Sequence, residues 1–299
     1  HMTNQVTTID TNNYAAMAKA MGMDQAASTE KKASSLARLR INHTPVMGQA
    51  EVKGKQVNVE VVEGGTYKLE IPDGPTYFAE QVKIRPFLQR FLHKKFVMGN
   101  DTTPNRYVKT VMGDTLNTDM KDNDGGFNCG KPSGWIEDFS SLPETMKELI
   151  RSIKRVRALF GTVDMVNPTD AQGNPVETDT IPFIYEIENR DAFKTFGNVF
   201  NKLGKMQRLP PQHYISCGTE KRDLPNGSCF YLPTADLDLM STLDMDNDTQ
   251  EVFADFMAWI ANYNQYILNE WSDKMQHSNE EIPDAIVDDL VDIDEDAFT

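Results

Sequence analysis

The feature that most limits how this chain folds is a period of two. QVNVEVVEG (56–64) and TYKLEI (66–71) alternate polar and apolar residues, with Gly64-Gly65 between them. Alternation puts successive side chains on opposite faces of a strand, so these two runs predict a hairpin turned at the glycines. Further strand candidates follow in AEQVKIRPFLQRFLHKKFVM, NRYVKTVMG, VRALFGTVDMV, IPFIYEIE, HYISC and SCFYLP. Turn-rich pieces such as DNDGGFNCGKPSG and NPTDAQGNP separate them. A period of 3.6 shows briefly in YAAMAKAMGM, within the N-terminal arm, and governs three longer stretches. Pro143–Arg155 opens with Pro near its first turn. Asp191–Met206 carries Phe193, Phe196, Phe200 and Leu203 on one stripe, and Thr249–Met275 carries Phe253, Phe256, Trp259, Ile260, Tyr263, Ile267 and Trp271.

Many short, turn-separated strands with few helices predict a mainly β chain with helical additions, of the α+β class. The expected core is an OB-like five-stranded β-barrel elaborated by insertions and a long C-terminal helix. The expected organisation is a flexible arm over 1–35, a barrel domain over 36–248, an amphipathic helix over 249–275 and a disordered acidic tail over 276–299.

Charge is distributed unevenly. The formal net charge is −15, yet nine of the 45 acidic residues lie between Glu280 and Thr299, where there is no Lys or Arg. The remainder holds 36 acidic against 30 basic residues. Within it, Lys83–Lys109 contains seven basic residues and one acid, and Lys147–Arg157 contains five and one. Two cationic stretches beside an acidic end differ physically from a uniformly acidic surface.

The cationic stretches coincide with strand candidates that carry aromatics. Alternation places Lys83, Arg85 and Phe87 on one face, opposite Val82, Ile84 and Leu88. It pairs Tyr107 with Lys109, Arg155 with Arg157, and Phe183 with Tyr185. Single-stranded nucleic acid needs cations that follow phosphates and flat π surfaces on which unpaired bases stack. The candidate binding set is therefore Lys83, Arg85, Phe87, Arg90, Lys94, Lys95, Arg106, Tyr107, Lys109, Lys154, Arg155, Arg157, Phe183 and Tyr185. For any single strand the ordinary alternative is a core aromatic beside a solvated cation.

The chain ends in DDLVDIDEDAFT, in which Phe298 is the only aromatic after Trp271. Such a charged stretch buries too little surface to fold alone. A flexible acidic string with one apolar anchor suits a basic pocket with a hydrophobic hole, or the chain's own cationic groove. This segment resembles the acidic, aromatic-tipped C-terminal tails of bacterial and phage single-stranded DNA-binding proteins. It departs from them in ending on Thr299 rather than on the aromatic. The stretch from FVMGNDTTPNRYVKTVMG through RSIKRVRALFG is similar to single-stranded DNA-binding proteins of tailed phages. The resemblance implies an OB-fold core that coats single strands in phage replication and recombination. It also implies a tail, here Asp292, Asp294, Glu295, Asp296 and Phe298, that tempers DNA binding and recruits a polymerase or helicase.

Other chemistries find less in the residues. Cys129, His213, Cys217 and Cys229 are the right types for a structural zinc, but the C-x2-C pair of zinc-holding phage relatives is missing. Asp244, Asp246 and Asp248 alternate as in a calcium loop, but Thr249 stands where the loop needs Gly. GKPSG lacks the P-loop spacing, and no nucleophile elbow or zincin pair occurs. The chain is therefore expected not to be an enzyme, with an acidic DNA-mimic inhibitor and a metal-dependent phage nucleic-acid enzyme as the alternatives. RNA in place of DNA is left open, because stacking and charge do not read the sugar. Three scattered cysteines and the lack of any apolar run near the roughly 18 residues of a membrane span lead to the expectation of a cytoplasmic protein.

Overall fold

A computed structural model describes residues 35–280, with side chains to His277. The flexible-arm expectation (1–35) and the acidic-tail expectation fall almost wholly outside those residues. The described chain is mainly β. It runs β1 Ala37–Asn42, β2 Val46–Val52, β3 Lys55–Val62, β4 Thr66–Glu70, β5 Thr76–Ala79, β6 Gln81–Val97, β7 Arg106–Lys109, α1 Glu144–Ser152, β8 Ile153–Val166, β9 Ile181–Ile187, α2 Arg190–Lys205, β10 Ile215–Asp223, β11 Cys229–Leu237 and α3 Asn247–Glu280.

Nine strands form one sheet in the order β11-β10-β6-β8-β9-β1-β4-β5, with β7 added to β6. β2 and β3 form a separate ladder. Neither sheet closes on itself, so the five-stranded barrel is not among the sheets of the described residues. The expected hairpin is also rearranged. β3 pairs with β2 across a two-residue turn at Lys53 and Gly54, both with positive φ, the geometry of tight hairpin turns. β4 pairs instead with β1 and β5. Gly64-Gly65 thus links two sheets, and a Cβ on Gly65 would stand 2.6 Å from the Tyr231 ring.

The chain divides into two compact units. Among the described residues the first comprises 35–89 and Ala158–Trp259. Its core collects Leu39, Tyr67, Ile84, Leu159, Phe183 and Phe196. α2 begins where the Asn189 side chain accepts hydrogen bonds from the Asp191 and Ala192 amides, as an N-cap does. It buries Ala192, Phe196, Val199 and Leu203 at helical spacing. The start of α3 belongs to this unit, with Phe256 edge-on to Phe87 at 5.4 Å between centroids.

Among the described residues the second unit comprises Arg90–Arg157 and 260–280. Here Val108, Cys129 and Ile153 are buried with Val97 and Leu149 against them. α1 stops at Ser152 rather than Arg155, because Ile153 already takes extended dihedrals and starts β8. The later part of α3 is tied to the long loop by specific bonds. The Tyr263 hydroxyl donates to the Thr110 carbonyl at 2.8 Å, and Asn264 bonds both the amide and the carbonyl of Met112. The Trp271 indole donates to the Gly126 carbonyl at 3.1 Å. No helix of the described residues is long and apolar enough to cross a membrane.

Candidate nucleic-acid interface

In the second unit, β6 and β7 pair antiparallel with Lys94 opposite Lys109, Lys95 opposite Val108, Phe96 opposite Tyr107 and Val97 opposite Arg106. Directly opposed residues share a face. One face therefore carries Lys94, Phe96, Tyr107 and Lys109. The other sends Val97 and Val108 into the small core. Burial of those valines fixes the register and obliges the basic-aromatic set to point outward.

That outward set is tightly grouped. The Phe96 and Tyr107 rings lie 5.2 Å apart at 57°, and each keeps about half of its surface in solvent (46% and 49%). The Lys94 ammonium stands 4.5 Å from the Tyr107 ring centroid and that of Lys109 at 5.7 Å. The ladder beneath is held on its outer side too. Asn123 accepts from the Lys109 amide at 3.0 Å and donates to the Tyr107 carbonyl at 3.2 Å. Arg106 pairs with Asp124 at 2.9 Å, both partly exposed. Such a pair contributes at most about 1 kcal/mol, so a phosphate competes for that arginine at little cost.

The remaining sequence candidates separate into presented and structural groups. Lys154 and Arg155 are exposed on β8. Lys95 points to the side of Cys129, whose thiol feels its charge. Arg90 reaches Asp114 at 3.6 Å. Lys83 sits 4.0 Å over the Tyr214 ring. Arg85 donates to the Pro211 and Asp244 carbonyls, both at 2.8 Å. Arg157 is buried with its guanidinium 5.0 Å from the Phe91 centroid, and burial lowers its pKa to about 10.

Three aromatic assignments are corrected. Phe87, Phe183 and Tyr185 are core residues, exposed by 4%, 0% and 6%, and cannot stack on a base. Phe87 follows Pro86 in a run, Pro86–Leu88, that is buried on both faces. The solvated face implied by simple alternation therefore ends before it. Tyr185 meets Phe196 of α2 edge-on, so a helix covers the face on which both β9 aromatics were placed. Phe96 was missed, although it shares the parity of Lys94. Trp135, 88% exposed, sits in a turn-rich loop without strand periodicity and gave no such signal.

The zinc set is also corrected. Cys217 pairs with Ala235, whereas Cys229 pairs with Asp223 six positions along the same hairpin, about 20 Å away at strand rise. His213 uses Nδ1 on the Asp238 and Ser241 carbonyls at 3.0 and 3.1 Å. Cys129 is buried in the other unit. No group of three or more His, Cys, Asp or Glu suited to a metal occurs among the described residues, the Asp244–Asp248 stretch included. Asp246 instead accepts from the Thr249 amide and hydroxyl at the start of α3, bonds that lower its carboxyl pKa. The tail candidates Asp292, Asp294, Glu295, Asp296 and Phe298 lie outside the described residues.

No family model, curated protein or solved structure matches this chain.

Proposed function

We propose that this chain binds single-stranded nucleic acid without sequence preference, with the Phe96–Tyr107 pair as its stacking platform and Lys94 and Lys109 as its nearest phosphate contacts. The observation that carries the reading is the solvent-facing aromatic pair flanked by two ammonium groups on one face of a bonded two-strand ladder. Bases stack on such rings for about 1–3 kcal/mol each, whatever the base. The adjacent cations add a salt-dependent term through counterion release. The rings are held by the ladder before ligand arrives, which limits the ordering cost of binding.

The acidic stretch from Glu280 onward completes the proposal as a tethered competitor. Nine carboxylates on the same chain offer the cationic face a weak polyanion that phosphates displace. Once displaced, the stretch and Phe298 become available to a replication partner. An OB-like barrel belongs to this proposal only as an analogy, since the platform needs two paired strands and not a closed sheet.

The test is a fluorescence-anisotropy titration of labelled oligo-dT with the full chain and with a chain ending at Asn279, at two salt concentrations. Salt-sensitive binding that tightens on truncation supports both parts. Equal binding by the two chains removes the competitor role. Absence of binding by either at low salt refutes the proposal and favours the DNA-mimic alternative.

A further inference from the structure

On the opposite parity of β6 from Lys94 and Phe96 stands His93. It lines a cavity of about 460 Å³ with Arg155 of β8 and residues of the loop 116–136, including Asn117, Asp119, Lys131 and Trp135. This volume falls in the range of small-molecule sites, about 300–1,000 Å³. His93 is 2% exposed, and its Nδ1 is buried without a hydrogen bond among the described residues. A buried polar atom left unpaired costs free energy, and native structures rarely leave one without a hydrogen-bond partner. Its backbone is held at Thr110, since the His93 amide donates to the Thr110 hydroxyl at 3.0 Å and its carbonyl accepts from the Thr110 amide.

The charges around the cavity conflict with one another. Burial together with the charges of Lys131 and Arg155 lowers the His93 pKa to about 4, and burial with Arg155 lowers that of Lys131. Two cations and an imidazole therefore converge, and each disfavours the next. Asp119 does not neutralise them freely. Its oxygens accept from the Ser133 hydroxyl and the Asn128 side-chain NH2, both at 2.7 Å, bonds that also lower its own pKa. A dianionic or monoanionic phosphate between Lys131 and Arg155 relieves the repulsion. Trp135, almost fully exposed at the rim, offers a flat surface to a ring attached to that phosphate.

We propose that this cavity is a mononucleotide site: the phosphate sits between Lys131 and Arg155, the base lies against Trp135, and His93 forms part of the wall. The carboxylate of Asp119 leaves its end of the cavity to hydrogen-bond donors of the base or sugar, which a bare phosphate lacks. This site is separate from the Phe96–Tyr107 platform in residues and in strand parity, and it stands whether or not that platform binds a strand.

The experiment titrates dAMP, inorganic phosphate and deoxyadenosine into the full chain. It follows tryptophan fluorescence and the 15N-imidazole signals of His93. The expected result is quenching and a His93 shift with dAMP, at least tenfold weaker binding of phosphate and none of deoxyadenosine. Lys131→Ala with Arg155→Ala should abolish the His93 shift while thermal unfolding stays within a few degrees of the parent. Trp135→Ala should weaken dAMP but leave phosphate binding unchanged, which a merely folded-state defect would not do. Phe96→Ala with Tyr107→Ala, which removes the platform, should leave dAMP binding intact. Equal affinity for dAMP and phosphate would overturn the nucleotide assignment, and a His93 signal unmoved by all three would overturn the site.

Discussion

Removing the two platform rings separates stacking from charge. Phe96 and Tyr107 each keep about half of their surface in water and are packed mainly against each other and the lysine stems. Each ring has room to receive one base. At about 1–3 kcal/mol per stacked base, Phe96→Ala or Tyr107→Ala should weaken oligo-dT binding by roughly 5- to 150-fold. The slope of log affinity against log salt should stay unchanged, because no phosphate contact is lost. Lys94→Ala with Lys109→Ala should do the converse. A single strand loses about 0.7 of slope per phosphate contact, so the pair removes about 1.4. Tyr107→Phe keeps the ring and should bind like the parent. The assay is anisotropy at four salt concentrations, with circular dichroism to show that each variant is folded. Parent-like affinity for both aromatic variants, with folding intact, would refute the platform. A slope that falls with the aromatics rather than the lysines would refute the division of labour.

Three further outcomes follow from burial. Phe183→Ala empties a fully buried position and should lower stability by about 3–5 kcal/mol, read from the urea midpoint, while the folded fraction binds DNA as before. Burial, with Asp122 adding to it, pushes the Cys129 thiol up to about 12. Burial also raises that of Cys217, so in the native protein Ellman's reagent should reach only the half-buried Cys229. Prompt reaction of a second thiol would contradict the packing. His93, lowered from 6.5 to about 4 by burial, Lys131 and Arg155, binds its proton in the unfolded chain first. Stability should therefore fall as pH drops from about 6.5 to 4, and His93→Gln should flatten that slope in urea titrations.

What the sequence discloses about this fold follows local physics, and what it hides is tertiary. The period of two found most strands, and the stripe Phe193, Phe196, Phe200 and Leu203 found α2, in which Phe196 and Leu203 are buried, because burial on one face leaves a periodic trace. Pairing leaves no such trace. Nothing local distinguishes β3 joined to β2 at Lys53-Gly54 from β3 joined to β4 at Gly64-Gly65, and Gly64-Gly65 carries the stronger turn composition. Alternation also tells that two residues share a face but not what covers it. Phe183 and Tyr185 are together on one face of β9, as expected, and α2 lies over that face. Tyr107 and Lys109 are together in the same sense, and solvent lies over theirs. The cavity beside His93 is assembled from β6, β8 and the loop 116–136, a separation in sequence that no motif spans.

The same limit explains why a run of cations is not a run of binding residues, and Arg85 and Lys94 make the contrast measurable. Arg85 forks to two backbone carbonyls far away in sequence, Pro211 and Asp244, and lies 5.5 Å from the Phe87 ring. Hydrogen bonds from charged groups contribute about 1.5–3 kcal/mol each, so Arg85→Ala should cost several kcal/mol of stability. Arg85→Lys should restore little, because one ammonium on a flexible stem does not reproduce a rigid fork. Neither change should weaken DNA binding by the folded protein. Lys94→Ala, on a half-exposed side chain over Tyr107, should change stability by less than about 0.5 kcal/mol and lower affinity with a loss of salt slope. Denaturant titration and DNA titration on the same two variants therefore sort the cationic strand into its two uses. If Arg85→Ala proved stable but defective in binding, the carbonyl contacts would not be what holds that guanidinium, and Arg85 itself would be a binding residue.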